Sequence, residues 1–600
     1  MSEFEITVTQ TLGLRNDKGR KFVPKEYLYQ IENYNYDDVI GANRTLCPSI
    51  DYNMGGDAGV DGIFEFRYIN SSSELVKESI LIINGSIVKN AINSILSPTT
   101  IYTGLTAGHK CTFAVLNDKL FISNGYDDVL VYNGTLVKEM GSCYATNSGA
   151  AGDLEGDYYY AITYVIDGLE TVLGTISNTV TTSSNSVTLT IPVGPEGTTE
   201  RKIYRTEADG TDLKLVATLS DNTTTTFTDN TEDGSLGASI PATNSPAPKP
   251  QFITVMHEKL IGVKNSRRPN YLYYSETEIE ILFNTIGVAD VSGQGNDNTS
   301  LTGMAEDYNV LVVFSEKRIY TVDVSGSTAT VKQTISNVGC YDGFSVSKVP
   351  QNDSFQGGIM FVSNEFDVRV FNGHLAVNLA TSFDNLSTAN FSSQLNSEEL
   401  RNLISGTSLE GSFFDYKYHL IIGKVIYVYD LKIGGWTTYR FKTASYDPEY
   451  RKMGVINNVL FIGQKDSEIV EKMYQDTQYR NENLGSVIET PELLMDNQYK
   501  FWKELHIYYG NSGEVTVNLE ITPDNISDFS QSASFSYKND GFDPAYFNST
   551  YFKTISNEDD YKVIHINLYA RWLRFRITSN NRFNFRGYRL VGRTLTNKEV

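Results

Sequence analysis

Six histidines (His109, His257, His374, His419, His506, His565) and four cysteines (Cys47, Cys111, Cys143, Cys340) are the residues best suited to acid–base, nucleophilic or metal chemistry. The histidines stand singly and far apart, each in or beside a strand-like stretch. That placement reads as satisfied structural histidines rather than ligands. The cysteines have neither Cys-x-x-Cys spacing nor a histidine pair nearby, so buried free thiols in a reducing compartment fit better than zinc or redox chemistry. Acids gather in turns such as Tyr126-Asp-Asp and Asn230–Gly234, where Asp stabilises the turn itself. Asp290–Ser300 offers oxygens to calcium but lacks the closing glutamate of an EF-hand loop, and reads as a loop. Met54–Gly62 is glycine-rich, yet no Gly-Lys-Ser/Thr follows, so it is not a phosphate loop. Neither a nucleophile elbow nor a His-Glu-x-x-His motif occurs. The sequence gives no positive reason to expect an enzyme, and no catalytic, cofactor or metal residue is assigned.

The elements that would carry any site are strands. The chain holds 39 Tyr and 30 Phe with many Val, Ile and Thr, which favours an all-β fold. Leu116–Gly134 sets the pattern: apolar Lys119-Leu-Phe-Ile, a polar Ser-Asn-Gly-Tyr-Asp-Asp tip, then apolar Val129-Leu-Val-Tyr. Five variants follow, at Lys259–Ser275, Leu311–Gly326, Ile359–Gly373, Tyr418–Trp436 and Val459–Gln475. Their spacing is near that of one four-stranded sheet, the signature of a β-propeller blade. Six hairpins predict about six blades. Val428–Trp436 resembles the end of a sialidase Asp-box, but Val428 stands where Ser or Thr is expected. A tight turn with Trp436 packed between blades is the simpler reading. The best helical stretch is the short Asn396–Leu403.

Six hundred residues exceed one core. Residues 1–60 read as an extended N-terminal arm, and 61–145 as the first part of the propeller, opened by Gly62-Ile-Phe-Glu-Phe-Arg-Tyr. Residues 146–250 carry short alternating strands with frequent turns, bounded by small-residue and proline-rich linkers (Ser148–Gly152, Pro241–Pro250). These features predict an inserted β-sandwich of the fibronectin type III kind. The propeller continues over 251–480, and 490–600 forms a C-terminal β-sandwich-like domain. Arg571, Arg574, Arg576, Arg582, Arg586, Arg589 and Arg593 crowd its end without an intervening acid. On a strand, Trp572, Arg574 and Arg576 share one face while Leu573, Phe575 and Ile577 share the other. Two readings stand: a half-buried strand with a solvated basic face, or a possible assembly interface for an acidic partner such as another copy.

The formal net charge is −22, which argues against wrapping nucleic acid or docking on anionic lipid and equally fits plain solubility. The first residues lack a basic region followed by an apolar core, so no signal peptide is expected. No apolar run is long enough to span a bilayer, so no membrane insertion is expected either.

Taken together, Gly62–Tyr68, Leu120–Gly134, Tyr160–Gly168 with Arg201-Lys-Ile-Tyr-Arg-Thr, and the Trp502 and Arg571–Arg576 strands resemble the tail nozzle (tail hub) proteins of short-tailed bacteriophages. The resemblance implies a structural virion protein rather than an enzyme. It would be a homohexameric ring around the DNA exit channel, assembled in the bacterial cytoplasm and residing in the virion tail. Its partners would be itself, a portal-proximal adaptor ring, tail fibres or spikes, and the viral double-stranded DNA passing through. The alternatives are a receptor- or carbohydrate-binding phage tail appendage and, further off, a β-propeller glycan hydrolase. The appendage would expose Tyr and Trp beside acids, and the hydrolase would need paired carboxylates over the propeller axis.

Overall fold

The computed structural model describes residues 3–594 with breaks, the longest at 276–287, 373–387 and 537–559. Antiparallel sheets make up nearly all of it. Seven four-stranded blades follow one another, six as separate sheets and one (blade 6) as part of a larger sheet. Blade 1 is Val60–Ile69, Leu75–Ile83, Ser86–Ala91 and Thr99–Thr103. Blade 2 spans Thr112–Leu116 to Val137–Glu139, blade 3 Pro250–Met256 to Val288–Asp290, and blade 4 Leu301–Asp307 to Thr330–Ser336. Blade 5 runs from Ser347–Val349 to Thr388–Asn390, and blade 6 from Leu409–Phe414 to Gly435–Tyr439. Blade 7 takes Tyr450–Ile456, Val459–Gln464 and Ile469–Asp476 from the chain's later part, and its outer strand, Cys47–Asn53, from the beginning.

The innermost strands touch in sequence, and Tyr450–Ile456 lies against Val60–Ile69, so the ring is closed. The count is one more than the six hairpins suggest, because the Leu75–Ala91 hairpin of blade 1 belongs to the same series. The fold is a β-propeller.

Alternation explains how one sheet serves two neighbours. In Ile80-Leu-Ile-Ile, Ile80 and Ile82 join the core shared with blade 2, while Leu81 and Ile83 join the core shared with blade 7. In blade 2, Leu120 and Ile122 face blade 1, and Phe121 faces blade 3. A middle strand buried on both faces therefore reads as a continuous apolar run. Crowding at the axis selects glycine: a Cβ on Gly454 would stand 2.5 Å from the Ile63 carbonyl oxygen, and one on Gly411 2.3 Å from that of Ser345. Several first-to-second-strand turns are two-residue turns with both φ positive, as at Asn117-Asp118, Asp415-Tyr416 and Asn457-Asn458.

Between blades 2 and 3 two sheets enclose a separate core of Leu154, Tyr160, Ile162, Tyr164, Val187, Leu189 and Ile203. One sheet is Tyr144–Tyr158, Val180–Thr190 and Thr226–Asp229, and the other is Leu169–Glu170, Tyr160–Ile166, Thr198–Arg205 and Lys214–Leu219. Ser148–Gly152 is not a linker. It lies inside the fifteen-residue strand Tyr144–Tyr158, where register shifts between Asn147 and Glu155 bulge the strand against Val180–Thr190. Of the proline-rich segment, 241–247 lies outside the described residues and Pro250 opens blade 3.

The N-terminal arm is extended but not free. Glu3–Val8 pairs with Asn584–Thr594, Gln30–Glu32 pairs with Gly435–Tyr439 of blade 6 on one side and Ser486–Glu489 on the other, and Cys47–Asn53 closes blade 7. Through Gln30–Glu32, blade 6 continues into the C-terminal unit as a single nine-stranded sheet. The facing six-stranded sheet is built on Lys500–Gly510, Asp560–Ala570 and Asn584–Thr594. One continuous core links blades 5 and 6, the arm (Leu14, Leu28, Ile31, Tyr34) and both C-terminal sheets. The expected short helix is present at Ser397–Ile404, capped by the Asn396 side chain, which accepts from the Glu398 and Glu399 amides.

Candidate functional site: the propeller axis and the arginine strands

Ligand and catalytic groups of a propeller gather at its axis, and here the axis is filled. Lys110 enters from just before the inner strand of blade 2, and Glu410 from the inner strand of blade 6. Those blades are not neighbours, so their contact crosses the bore. Glu410 bridges two ammoniums: Oε2 accepts from Lys110 Nζ at 3.1 Å, and Oε1 lies 2.8 Å from Lys452 Nζ. Lys110 also donates to the Leu409 carbonyl. Phe344, in the turn leading into blade 5, holds both ammoniums against its ring, at 4.7 and 4.8 Å from the centroid. Beside them Arg451 Nε meets Asp61 Oδ1 at 2.7 Å, and Asp61 Oδ2 accepts the Gly108 amide. Asp342 Oδ2 accepts the Leu409 amide.

All three members of the Lys110–Glu410–Lys452 set are buried. Burial lowers the Lys110 pKa, and Glu410 opposes the shift. With both oxygens of Glu410 on lysines, the described carboxylates here work as counter-ions that tie blades 1, 2, 5, 6 and 7 together. Sequence reading missed this cluster because its members lie hundreds of residues apart; the only local signal is a lone charge beside or within an apolar inner strand.

The described arginines of this run do not share one face. Arg574 and Arg576 alternate with buried Leu573, Phe575 and Ile577 on a strand of the nine-stranded sheet. Arg586, Arg589 and Arg593 alternate with buried Phe585, Tyr588 and Leu590 on the six-stranded sheet. The two apolar sets meet in one core, with Phe575 and Tyr588 edge to face at 5.0 Å, so the arginines point outward from opposite sides. The alternation is as expected, but the single basic face is not formed, because the strands belong to different layers.

Acids of the same chain meet most of them. Arg589 and Arg593 pair with Glu5 and Glu3 of the arm at 2.7 and 3.2 Å. Arg574 and Arg576 flank Glu489 at 3.4 and 3.8 Å, and Arg571 approaches Asp524 at 3.4 Å. Arg582 lies outside the described residues.

The outer face of the six-stranded sheet is aromatic. Tyr561 is 56 % and Tyr569 54 % exposed. His506 stacks on Tyr561 at 5.6 Å, and Phe501 meets Tyr569 at 4.9 Å. Glu504 lies between His506 (3.1 Å) and His565 (3.7 Å), and the His506 hydrogen bond, with the Lys503 and histidine charges, holds its carboxyl below the usual range. Elsewhere, His419 is buried against the Tyr474 hydroxyl, and burial lowers its pKa to about 3. Trp436 is buried against Tyr429 at 5.1 Å and receives the Leu14 amide on its carbonyl, so the Asp-box-like turn is packing. Cys111, Cys143 and Cys340 are buried free thiols whose pKa burial raises, to about 12 for Cys143 and Cys340. Among the described residues no group of three His, Cys, Asp or Glu could hold a metal ion, and Asp290 caps its own turn through the Gly293 amide.

No family model and no curated protein matches the chain. Solved structures similar to it include the Pan2 WD40 domain of Neurospora crassa (7 % identity, 74 % of this chain and 97 % of that one, TM-score 0.25). The Cps50 (Swd1) β-propeller domain of Myceliophteria thermophila is similar at 8 % identity (74 % and 99 %, TM-score 0.28). The virginiamycin B lyase of Staphylococcus aureus is similar at 11 % (72 % and 99 %, TM-score 0.27).

Proposed function

We propose that the chain is a structural subunit of a virion tail: a nozzle or hub ring around the DNA exit channel of a short-tailed bacteriophage, seated below an adaptor ring and anchoring fibres or spikes. The observation that carries the reading is the arm. It closes blade 7, splices blade 6 to the C-terminal sheets and lies along the last strand, so propeller and C-terminal unit move as one body. A part that holds DNA under pressure needs that stiffness. Because Lys110, Glu410 and Lys452 fill the propeller's own bore, the DNA path in this reading is the lumen between subunits. Class averages of the purified full-length protein test it, together with antibody labelling of virions. Six-fold rings and tail-end label are expected; a monomer at all concentrations and unlabelled virions would overturn it.

One observation favours a second reading, a carbohydrate-binding appendage. Tyr561, Tyr569, His506, His565 and Glu504 share one outer sheet face, and aromatic rings beside hydrogen-bonding groups suit pyranose rings. Glycan-array binding lost in Tyr561→Ala and Tyr569→Ala variants would support this reading over the first.

A further inference from the structure

The arm forms a closed loop before it reaches the sheets. The Leu12 amide donates to Glu26, Arg15 donates to Leu28, and Leu14 bridges Leu28 in parallel, so residues 15–26 bulge out between fixed ends. The loop is pinned from beneath. Val23 is buried, Arg20 pairs with Glu489 at 2.9 Å and lies over the Tyr29 ring at 4.4 Å, and the Asn16 side chain accepts the Asn396 amide at 2.7 Å. What this scaffold presents outward is Lys18, Lys21, Phe22 and Lys25. All four are exposed, and Phe22 is 70 % exposed, the largest value among the described large hydrophobics. Residues 11–25 hold five basic side chains and one acid on a chain of net charge −22. Arg15 and Arg20 are paired within the chain, whereas Lys18, Lys21 and Lys25 have no acidic partner among the described residues.

The inserted domain is the complement. Residues 146–240 carry fourteen acidic and four basic side chains. Each base is already paired inside the domain: Arg201 with Asp221, Lys202 with Glu170, Arg205 with Asp229 and Asp233, Lys214 with Glu207. Asp153, Glu155, Asp209, Asp212 and Glu232 are exposed and form no ion pair among the described residues.

We infer that the Lys18–Lys25 loop of one subunit docks on the acidic inserted domain of a second copy, giving the unlike surfaces that a head-to-tail ring requires. The inference rests on the tail-ring reading and names its contact. An aromatic side chain ringed by polar groups is the usual centre of a protein interface. Phosphates would need the lysines but not the exposed ring, and a strongly acidic chain repels a polyanion. The contact replaces the arginine strands, whose charges mostly stay within the chain, as the basic partner surface.

Sedimentation velocity of full-length protein at low and high salt provides the test, with circular dichroism to check folding. Lys18→Glu/Lys21→Glu/Lys25→Glu and, separately, Glu155→Lys/Asp212→Lys/Glu232→Lys are each expected to weaken self-association at least about tenfold at low salt, since each sets like charges face to face. Phe22→Ala weakens it at all salt concentrations. Mixing the two triple variants puts opposite charges together at every junction and restores assembly. Rings imaged at wild-type strength in both triple variants, or a mixture that associates no better than either alone, would sink this contact while leaving the ring reading standing. A wild-type protein that stays monomeric throughout would sink both. If the lysine variant loses affinity for a labelled DNA duplex and keeps its self-association, the loop's partner is nucleic acid and the inference is wrong.

Discussion

Glu410 serves two lysines with its two oxygens, and among the described residues it is the acid that forms an ion pair with both. Removing it leaves two ammoniums buried together, so Glu410→Ala should cost about 3–5 kcal/mol in urea unfolding. Replacing all three charges by well-packed Met and Leu removes the desolvation cost along with the attraction, and should be neutral or stabilising by about 1–4 kcal/mol. A triple variant as unstable as Glu410→Ala would mean that the ion pairs themselves hold the ring.

His419 gives the residue scale its pH dependence. The unfolded chain binds the imidazole proton near pH 6.5 and the folded chain only near 3, so stability is complete above 6.5 and falls as pH drops through that window. The slope is about 1.4 kcal/mol per pH unit. Replacing His419 with Gln should flatten the stability profile between pH 6.5 and 3 relative to wild type, and equal slopes would contradict the assignment.

Among the elements, the splice strand Gln30–Glu32 depends on the residue that ends it. Asn33 has φ 62°, and its side chain donates to the Arg440 and Gly485 carbonyls and accepts the Arg440 amide at 2.8 Å. Asn33→Ala loses these bonds and strains the backbone, so a loss of about 2–4 kcal/mol is expected. Asn33→Gly removes only the bonds and should cost less; the reverse order would show that the strain argument fails. Cys47–Asn53 makes a second test. Deleting residues 1–29 uncovers Asn584–Thr594 but keeps this strand and should leave the propeller closed, while deleting 1–53 uncovers Ile469–Asp476 as well and should bring more aggregation. Light scattering distinguishes the two truncations.

At the scale of the whole molecule, cores define what unfolds together. Blades 5 and 6, the arm and the C-terminal sheets share one core, so propeller and C-terminal unit should melt in a single transition. The inserted domain has its own core and a fully buried Arg205–Asp229 pair at 2.8 Å, to which the Tyr160 hydroxyl also donates. Expressed alone, residues 143–240 should fold with a strand-type circular dichroism spectrum and a cooperative melt. A disordered fragment would mean that the insert needs the propeller to fold.

Local alternation carried much of the architecture. Runs such as Ile80-Leu-Ile-Ile and Lys119-Leu-Phe-Ile have a period of two or none, which sets strand identity, and Asn, Asp and Gly mark the turns, so the blades and the short helix after Asn396 were legible. Long-range pairing was not. That Cys47–Asn53 completes a blade begun at Tyr450, that Lys110 meets Glu410 across the axis, and that Arg574 and Arg589 face away from each other all depend on which strands become neighbours. Alternation tells a side chain's face within its own strand; only the tertiary arrangement decides which layer that strand joins, and so whether a row of arginines becomes one surface or two.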